Sequence, residues 1–205
     1  MKVLWFTNTP SLYDKGTHHY NGAGWIEALE QLISERTDLQ LGISFFHPAD
    51  GQKERSGKVT YYPILRRKKG PLKRLFHNWS RGIEESSFIA SFLKVIEDFK
   101  PDVIHVFGTE GPFARIQEHI EIPVVIHLQG LINPSINAFF PPGIGGYEIF
   151  LYPPFFIKHL MGNSLHFDIK RLKKQGKREL EHFKAAKYLM GRTEWDKSIA
   201  ELLAP

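Results

Sequence analysis

The 205-residue chain carries 27 basic and 22 acidic residues, a net charge of +5, and is 42% hydrophobic, the profile of an ordinary globular protein. It has no cysteine, which excludes disulfides and thiolate metal sites and suits a reducing compartment. No stretch approaches the roughly 20 apolar residues of a membrane span, and Met1-Lys2 runs straight into strand-like sequence with no secretory signal pattern.

Lys2 to Phe6 (KVLWF) is a continuous apolar run, as expected of a strand buried on both faces of a parallel sheet. GWIEALEQLISER then sets Trp25, Ile26, Leu29, Leu32 and Ile33 at helical spacing. Leu39 to His47 and Gly57 to Leu65 predict a second and a third strand, with PADGQKERSG as a polar loop between them. Ile83, Phe88, Ile89, Phe92, Leu93, Ile96 and Phe99 form a helical stripe that Pro101 stops. Asp102 to Gly108 predicts the fourth strand, and GPFARIQEHI a short helix with Pro112 near its first turn. Ile122 to Gly130 predicts the fifth strand and Pro141 to Tyr147 a loop. EIFLYPPFFIKHLMG reads as two helical pieces or one helix kinked at Pro153-Pro154. A basic helix over roughly Asp168 to Ala186 and a sixth strand, Lys187 to Gly191, follow; a last helix opens with Thr193 as N-cap and Asp196 three residues on. The alternation predicts an α/β, Rossmann-like, open and mostly parallel sheet of about six or seven strands with helices on both faces.

In such sheets ligands bind beyond the carboxyl ends of the strands. The loop between the first strand and the first helix ends in Gly22, Ala23 and Gly24, where missing side chains let backbone approach a ligand, and the amides opening the helix near Trp25 favour a phosphate or a sugar hydroxyl. A plain flexible loop fits the same stretch. There is neither GxGxxG after the first strand nor GxxxxGK[ST], which counts against a nicotinamide enzyme and a P-loop nucleotidase. His127 stands near the carboxyl end of the fifth strand, placed either as a core histidine or at the crevice where such sheets bind ligands. Thr109 and Glu110 follow the fourth strand and are expected to face the same crevice; His105 lies deeper and reads as structural. His18 and His19 lack the partner spacing of a metal site, and no GxSxG marks a hydrolase nucleophile.

Charge is concentrated in two runs, RRKKGPLKR (Arg66, Arg67, Lys68, Lys69, Lys73 and Arg74 are its basic residues) and KRLKKQGKR (Lys170 to Arg178). Each is either a solvated face or a surface for anionic partners. The first run adjoins Leu75, Phe76 and Trp79, and with the aromatics of FLYPPFFIKHLMG it suggests contact with an anionic membrane face. The alternative is that the aromatics fill the core while the lysines only solubilise.

Taken in order, KVLWFTNTPS, NGAGWIEALEQLI, PDVIHVFGTEGP, IPVVIHLQGLINP and YLMGRTEWDKSIA make the chain resemble the amino-terminal half of a retaining, family-four glycosyltransferase of the two-Rossmann-domain (GT-B) type. The resemblance covers nearly the whole chain. It implies that residues 1–205 are a single, acceptor-side domain, and that a nucleotide-sugar donor is held mainly by a carboxyl-terminal domain absent from this chain. It further implies that Gly22, Ala23 and Gly24 face the donor diphosphate and acceptor, that His127 lies beside the transferred sugar, and that Arg192 and Glu194 line the cleft or belong to the interdomain hinge. No metal or other cofactor is implied. The acceptor is expected to be a glycan or lipid-linked, as in the synthesis of a surface polysaccharide or glycolipid, and the location cytoplasmic or peripheral on the inner face of a membrane. The pair of glutamates separated by seven residues that marks the family's second domain is missing, so this domain alone is expected to be inactive. A different reading is a non-catalytic Rossmann-like module for a phosphorylated or nucleotide ligand. Nucleic acid is not an expected partner, because no RRM, KH or helix-turn-helix signature accompanies the basic runs.

Overall fold

In β1 (Lys2–Thr7), alternate residues feed two different cores: Leu4 and Phe6 pack on one side of the sheet and Trp5 on the other. That is why the run is continuously apolar instead of alternating. The computed structural model describes residues 1–13, 24–36, 38–66, 86–145, 147, 153–160 and 164–204. Along these lie α1 (Gly24–Ser34), β2 (Gln40–His47), β3 (Glu54–Ser56), β4 (Val59–Leu65), α2 (Ser86–Phe99), β5 (Val103–Phe107), a 3-10 turn (Phe113–Glu118), β6 (Val124–His127), α3 (Ile132–Asn137), α4 (Pro153–Leu160), α5 (Leu165–Ala185), β7 (Tyr188–Met190) and α6 (Glu194–Leu203).

The strands form one seven-stranded sheet in the order β3-β4-β2-β1-β5-β6-β7, parallel except for β3. The fold is thus an α/β, Rossmann-like, mostly parallel sheet with helices on both faces. On one face Ile26 of α1, with Leu29 and Ile33, covers Trp5, Ile43, Phe45, Tyr61 and Phe107. On the other, Phe92, Val95, Ile96 and Phe99 of α2 and Phe113 and Ile116 of the 3-10 turn cover Leu4, Phe6, Tyr62, Ile104 and Val106. Gly42 is required by this second layer, because a β-carbon there would lie 2.9 Å from Leu4 Cδ1 and 3.1 Å from the Phe99 ring. A third cluster joins Leu128, Leu131 and Phe183 to Ile199, Ala200 and Leu203 of α6. Among the described residues no helix is long and apolar enough to cross a membrane.

One sequence expectation is corrected. PADGQKERSG is not simply a loop: Glu54–Ser56 folds back through Gly57 (φ +59°) and pairs antiparallel with β4. The strand is exposed at the sheet edge, so it carries no apolar signal. The short helix expected after Gly111 is a six-residue 3-10 turn with Pro112 as its N-cap. Pro101 does stop α2, after Lys100 enters the left-handed region (φ +54°) and its amide bonds Ile96 O at 2.8 Å.

Candidate functional site

The strand order reverses between β1 and β5, which lie side by side although β2 to β4 intervene in sequence. The carboxyl ends of β1, β5 and β6 therefore open onto a switch-point crevice. The chain leaves β1 in a tight turn, with Thr7 Oγ1 donating to Thr9 O at 2.6 Å. It is then fixed to α1 by Glu30, whose buried carboxylate accepts from Leu12 N at 3.2 Å and from the Tyr61 hydroxyl.

His127 ends β6 opposite Phe107 in the sheet register. Its ring meets Trp25, on the first turn of α1, edge to face at 5.7 Å and 78°. It also lies 5.8 Å from the Phe107 ring and 5.4 Å from the His105 ring. His127 is only 7% exposed, and neither ring nitrogen has a hydrogen-bond partner within the protein. Burial, and then the charge of Arg192, hold its pKa below the usual histidine value, against an opposing pull from Asp196. Near neutral pH the ring is therefore uncharged, with one nitrogen able to donate and the other to accept. His105 lies deeper in β5 and stacks on Phe107 at 4.1 Å. Burial, with a smaller push from His127, lowers its pKa to about 4.

Other polar atoms near the same strand ends are also buried without a hydrogen-bond partner in the protein: Thr9 Oγ1 and Ser11 Oγ after β1 and Gln129 Nε2 after β6. Each such atom costs about 1–3 kcal/mol if left unmet.

Glu110 folds back over its own strand. A β-carbon on Gly130 would lie 3.0 Å from Glu110 Oε1, and one on Gly108 (φ +86°) would collide with the same carboxyl group. Two glycines at the ends of β5 and β6 thus make room for this carboxyl group. Burial above all, and then the charge of Glu179, raise its pKa, while Arg178 opposes them.

Thr109, expected at the crevice, is turned away from it. It is buried, and its hydroxyl donates to Glu179 Oε1 at 2.5 Å, with Gly130 O at 3.2 Å from the same oxygen. Glu179, on α5, also accepts from Ile132 N (3.0 and 3.1 Å), Asn133 N (2.8 Å) and Asn133 Nδ2 (2.8 Å). One carboxylate thus caps α3 and ties the β5 and β6 loops together. Its neighbour Arg178 is buried too and donates to Glu110 O. The basic run Lys170 to Arg178 is therefore not one uniform surface, since Lys170, Lys173, Lys174 and Lys177 are exposed while its last residue is inside.

Arg192 leaves β7 and its Nη2 reaches Gln129 O at 3.4 Å, over the end of β6. Thr193 and Asp196 close a reciprocal capping box at the start of α6, and Glu194 is exposed on its first turn. Among the described residues, a β-carbon on Gly24 would meet nothing within 4 Å. Gly22, Ala23, His18, His19, Arg67, Lys68, Lys69, Lys73 and Arg74 lie outside the described residues. Arg66 is described, and its guanidinium sits 4.9 Å above the Phe46 ring. Glu30, Arg178 and Glu179 are missed by sequence reasoning, because nothing in their local pattern marks a charged residue as buried. Among the described residues no group of three or more histidine, aspartate or glutamate side chains is arranged to hold a metal ion.

No protein-family model matches the sequence, and no curated protein matches it. Solved structures do. Sucrose-phosphate synthase from Thermosynechococcus elongatus matches with a TM-score of 0.60 at 9% identity, over 99% of this chain and 45% of that one. UDP-GlcNAc 2-epimerase from Methanocaldococcus jannaschii matches with a TM-score of 0.46 at 14% identity, over 98% of this chain and 42% of that one. The chain spans less than half the length of either protein. At these identities the similarity is one of fold.

Proposed function

We propose that this chain is the acceptor-side, Rossmann-like half of a GT-B glycosyltransferase of the retaining, family-four kind. The observation that carries the reading is the set of buried, unpartnered polar atoms around a neutral His127 at the switch point. A sugar offers a dense array of hydroxyl groups, each able to donate and accept, and so fits such a rim. The likeness in fold to one part of a sucrose-phosphate synthase supports the reading.

In the proposed reaction the bond between the sugar's anomeric carbon and the nucleoside diphosphate breaks, and a bond to an acceptor hydroxyl forms with retained configuration. The acceptor is a glycan or a lipid-linked glycan. A second domain supplies most donor contacts. The amides opening α1 face the departing diphosphate, where the helix dipole favours negative charge. His127 positions the sugar by hydrogen bonding, and Arg192 brings positive charge to the same edge. Preorganised groups of this kind stabilise charge that develops in the transition state.

The test is glycosyl transfer from UDP-glucose and GDP-mannose by a chain extended through the sequence that follows Pro205 in its gene. His127→Ala should lower turnover by about 100-fold while the domain still folds. Near-normal turnover in that variant would remove His127 from the site. Transfer by the 205-residue chain alone, at the rate of the extended protein, would contradict the half-site reading.

A further inference from the structure

We infer that the lysine stripe on the outer side of α5 is a docking surface for an anionic lipid membrane. The two sides of this helix differ. Inward, Glu179 caps α3 and Arg178 donates to Glu110 O, so α5 braces the rim of the site. Outward, Lys170, Lys173, Lys174, Lys177, Glu181 and Lys184 are all exposed. At about 100° per residue these positions share one sector about 100° wide, and the stripe runs about 21 Å from end to end. Five lysines and one glutamate give it a net charge of +4, against +5 for the whole chain.

A helix built only for stability would not be charged this way. Lys170 stands three and four residues before Lys173 and Lys174, and Lys173 four before Lys177. Like charges at these spacings destabilise a helix. The macrodipole favours cations only in the last turn, where Lys184 alone of the five stands. An anionic surface removes the repulsion and attracts every lysine at once. A membrane fits the stripe better than a nucleic acid does. Arginine, whose fixed fork reads phosphates and base edges, is absent from it, as are aromatic rings on which bases stack. Arg171 lies outside the sector and pairs with Asp168 at 2.9 Å, and Arg178 is buried. Lysines in one straight row are point charges on flexible stems, suited to a plane of mobile headgroups. The inference stands independently of the proposed function; where both hold, α5 fixes the site relative to the membrane that carries a lipid-linked acceptor.

Co-sedimentation of the extended protein with vesicles of equimolar phosphatidylcholine and phosphatidylglycerol, against phosphatidylcholine alone, checks this. Binding to the anionic vesicles only, weakening as salt rises, is expected. Lys170→Gln, Lys173→Gln and Lys177→Gln together should weaken it about 100-fold, at about five-fold per lysine, and Glu181→Gln should strengthen it about five-fold. Unchanged binding in the folded triple variant, with loss when Arg66, Arg67, Lys68 and Lys69 are changed to glutamine instead, would overturn the inference by moving the contact to the other basic run. Equal binding to both vesicle types would overturn it, and so would binding to neither. Binding to duplex DNA or single-stranded RNA but not to anionic vesicles would overturn it as well, making the stripe a nucleic-acid surface. Should the triple variant not fold, Glu181→Gln decides: stronger binding sustains the inference, and unchanged binding overturns it. Any of these failures leaves transfer to a soluble glycan untouched, so the transferase reading stands or falls on its own assay.

Discussion

Glu179 and His127 are both buried polar side chains at the carboxyl edge of the sheet, and they are used in opposite ways. The Glu179 carboxylate takes bonds from the Thr109 hydroxyl, the Ile132 and Asn133 amides and the Asn133 side chain. Both nitrogens of His127 take none from the protein. The first arrangement is scaffold, because its bonding capacity is filled internally; the second leaves bonding capacity that the protein does not fill. His182, on the buried side of α5, is wholly enclosed and its ring lies against the Thr109 backbone. What sets His127 apart is its place at the rim beside a half-exposed Trp25.

The comparison is most easily broken by mutation. Glu179→Ala strands several buried donors at once and should cost about 3–5 kcal/mol in urea unfolding. His127→Phe removes unmet polar atoms from a ring cluster and should leave stability within about 1 kcal/mol of the parent, or raise it. A large loss in His127→Phe would make that residue scaffold too.

Acid titration probes the histidines on both sides. His105 and His182 have pKa values lowered to about 4, in each case mainly by burial, and His127 is lowered in the same direction. The unfolded chain therefore binds more protons than the folded one below about pH 6.5. Their contribution is complete above that pH and is lost as pH falls toward 4, by roughly 2–4 kcal/mol for His182 alone. Glu110, with its raised pKa, acts in the opposite sense, its contribution fading as pH rises above the carboxylate range. Melting curves from pH 7 to 4 should show the net loss, and His182→Phe should flatten it. A parent chain whose stability is level over that range would contradict the burial of these rings.

Two glycines sharpen the contrast further. Gly108→Ala places a β-carbon at φ +86° against the Glu110 carboxyl group and should cost about 2 kcal/mol. Gly24→Ala meets open space and should leave stability within about 1 kcal/mol of the parent, while weakening ligand binding at the start of α1. An effect of similar size is expected at the start of α6, where Thr193→Ala removes the capping box for about 1 kcal/mol.

Local pattern made much of this fold legible. The apolar runs at Lys2, Asp102 and Ile122 predict β1, β5 and β6, and Thr193 with Asp196 marks the start of α6. The place of His127 follows from strand alternation alone, because the carboxyl ends of parallel strands share one edge. What escaped sequence reasoning depends on distant partners. The short helix α3 is capped by Glu179, 46 and 47 residues away, so no local cap announces it. Strand β3 is Glu-Arg-Ser, defined by backbone pairing with β4 and not by any buried face. Arg178 ends a lysine-rich run whose lysines are solvated, and its burial and its contact with Glu110 O distinguish it. The Thr109 hydroxyl was expected at the crevice and is engaged by Glu179 instead. Trp25 reads as one of five core positions on α1, yet its ring belongs to the rim.

The most direct measurement is long-range proton–nitrogen NMR of the histidine rings in the extended protein at neutral pH during titration with UDP-glucose. The assignment of the site predicts that the two His127 nitrogens shift as ligand is added, while those of His182 stay fixed. Movement of His182 with His127 unmoved, or no movement of His127 at saturating ligand, would contradict it.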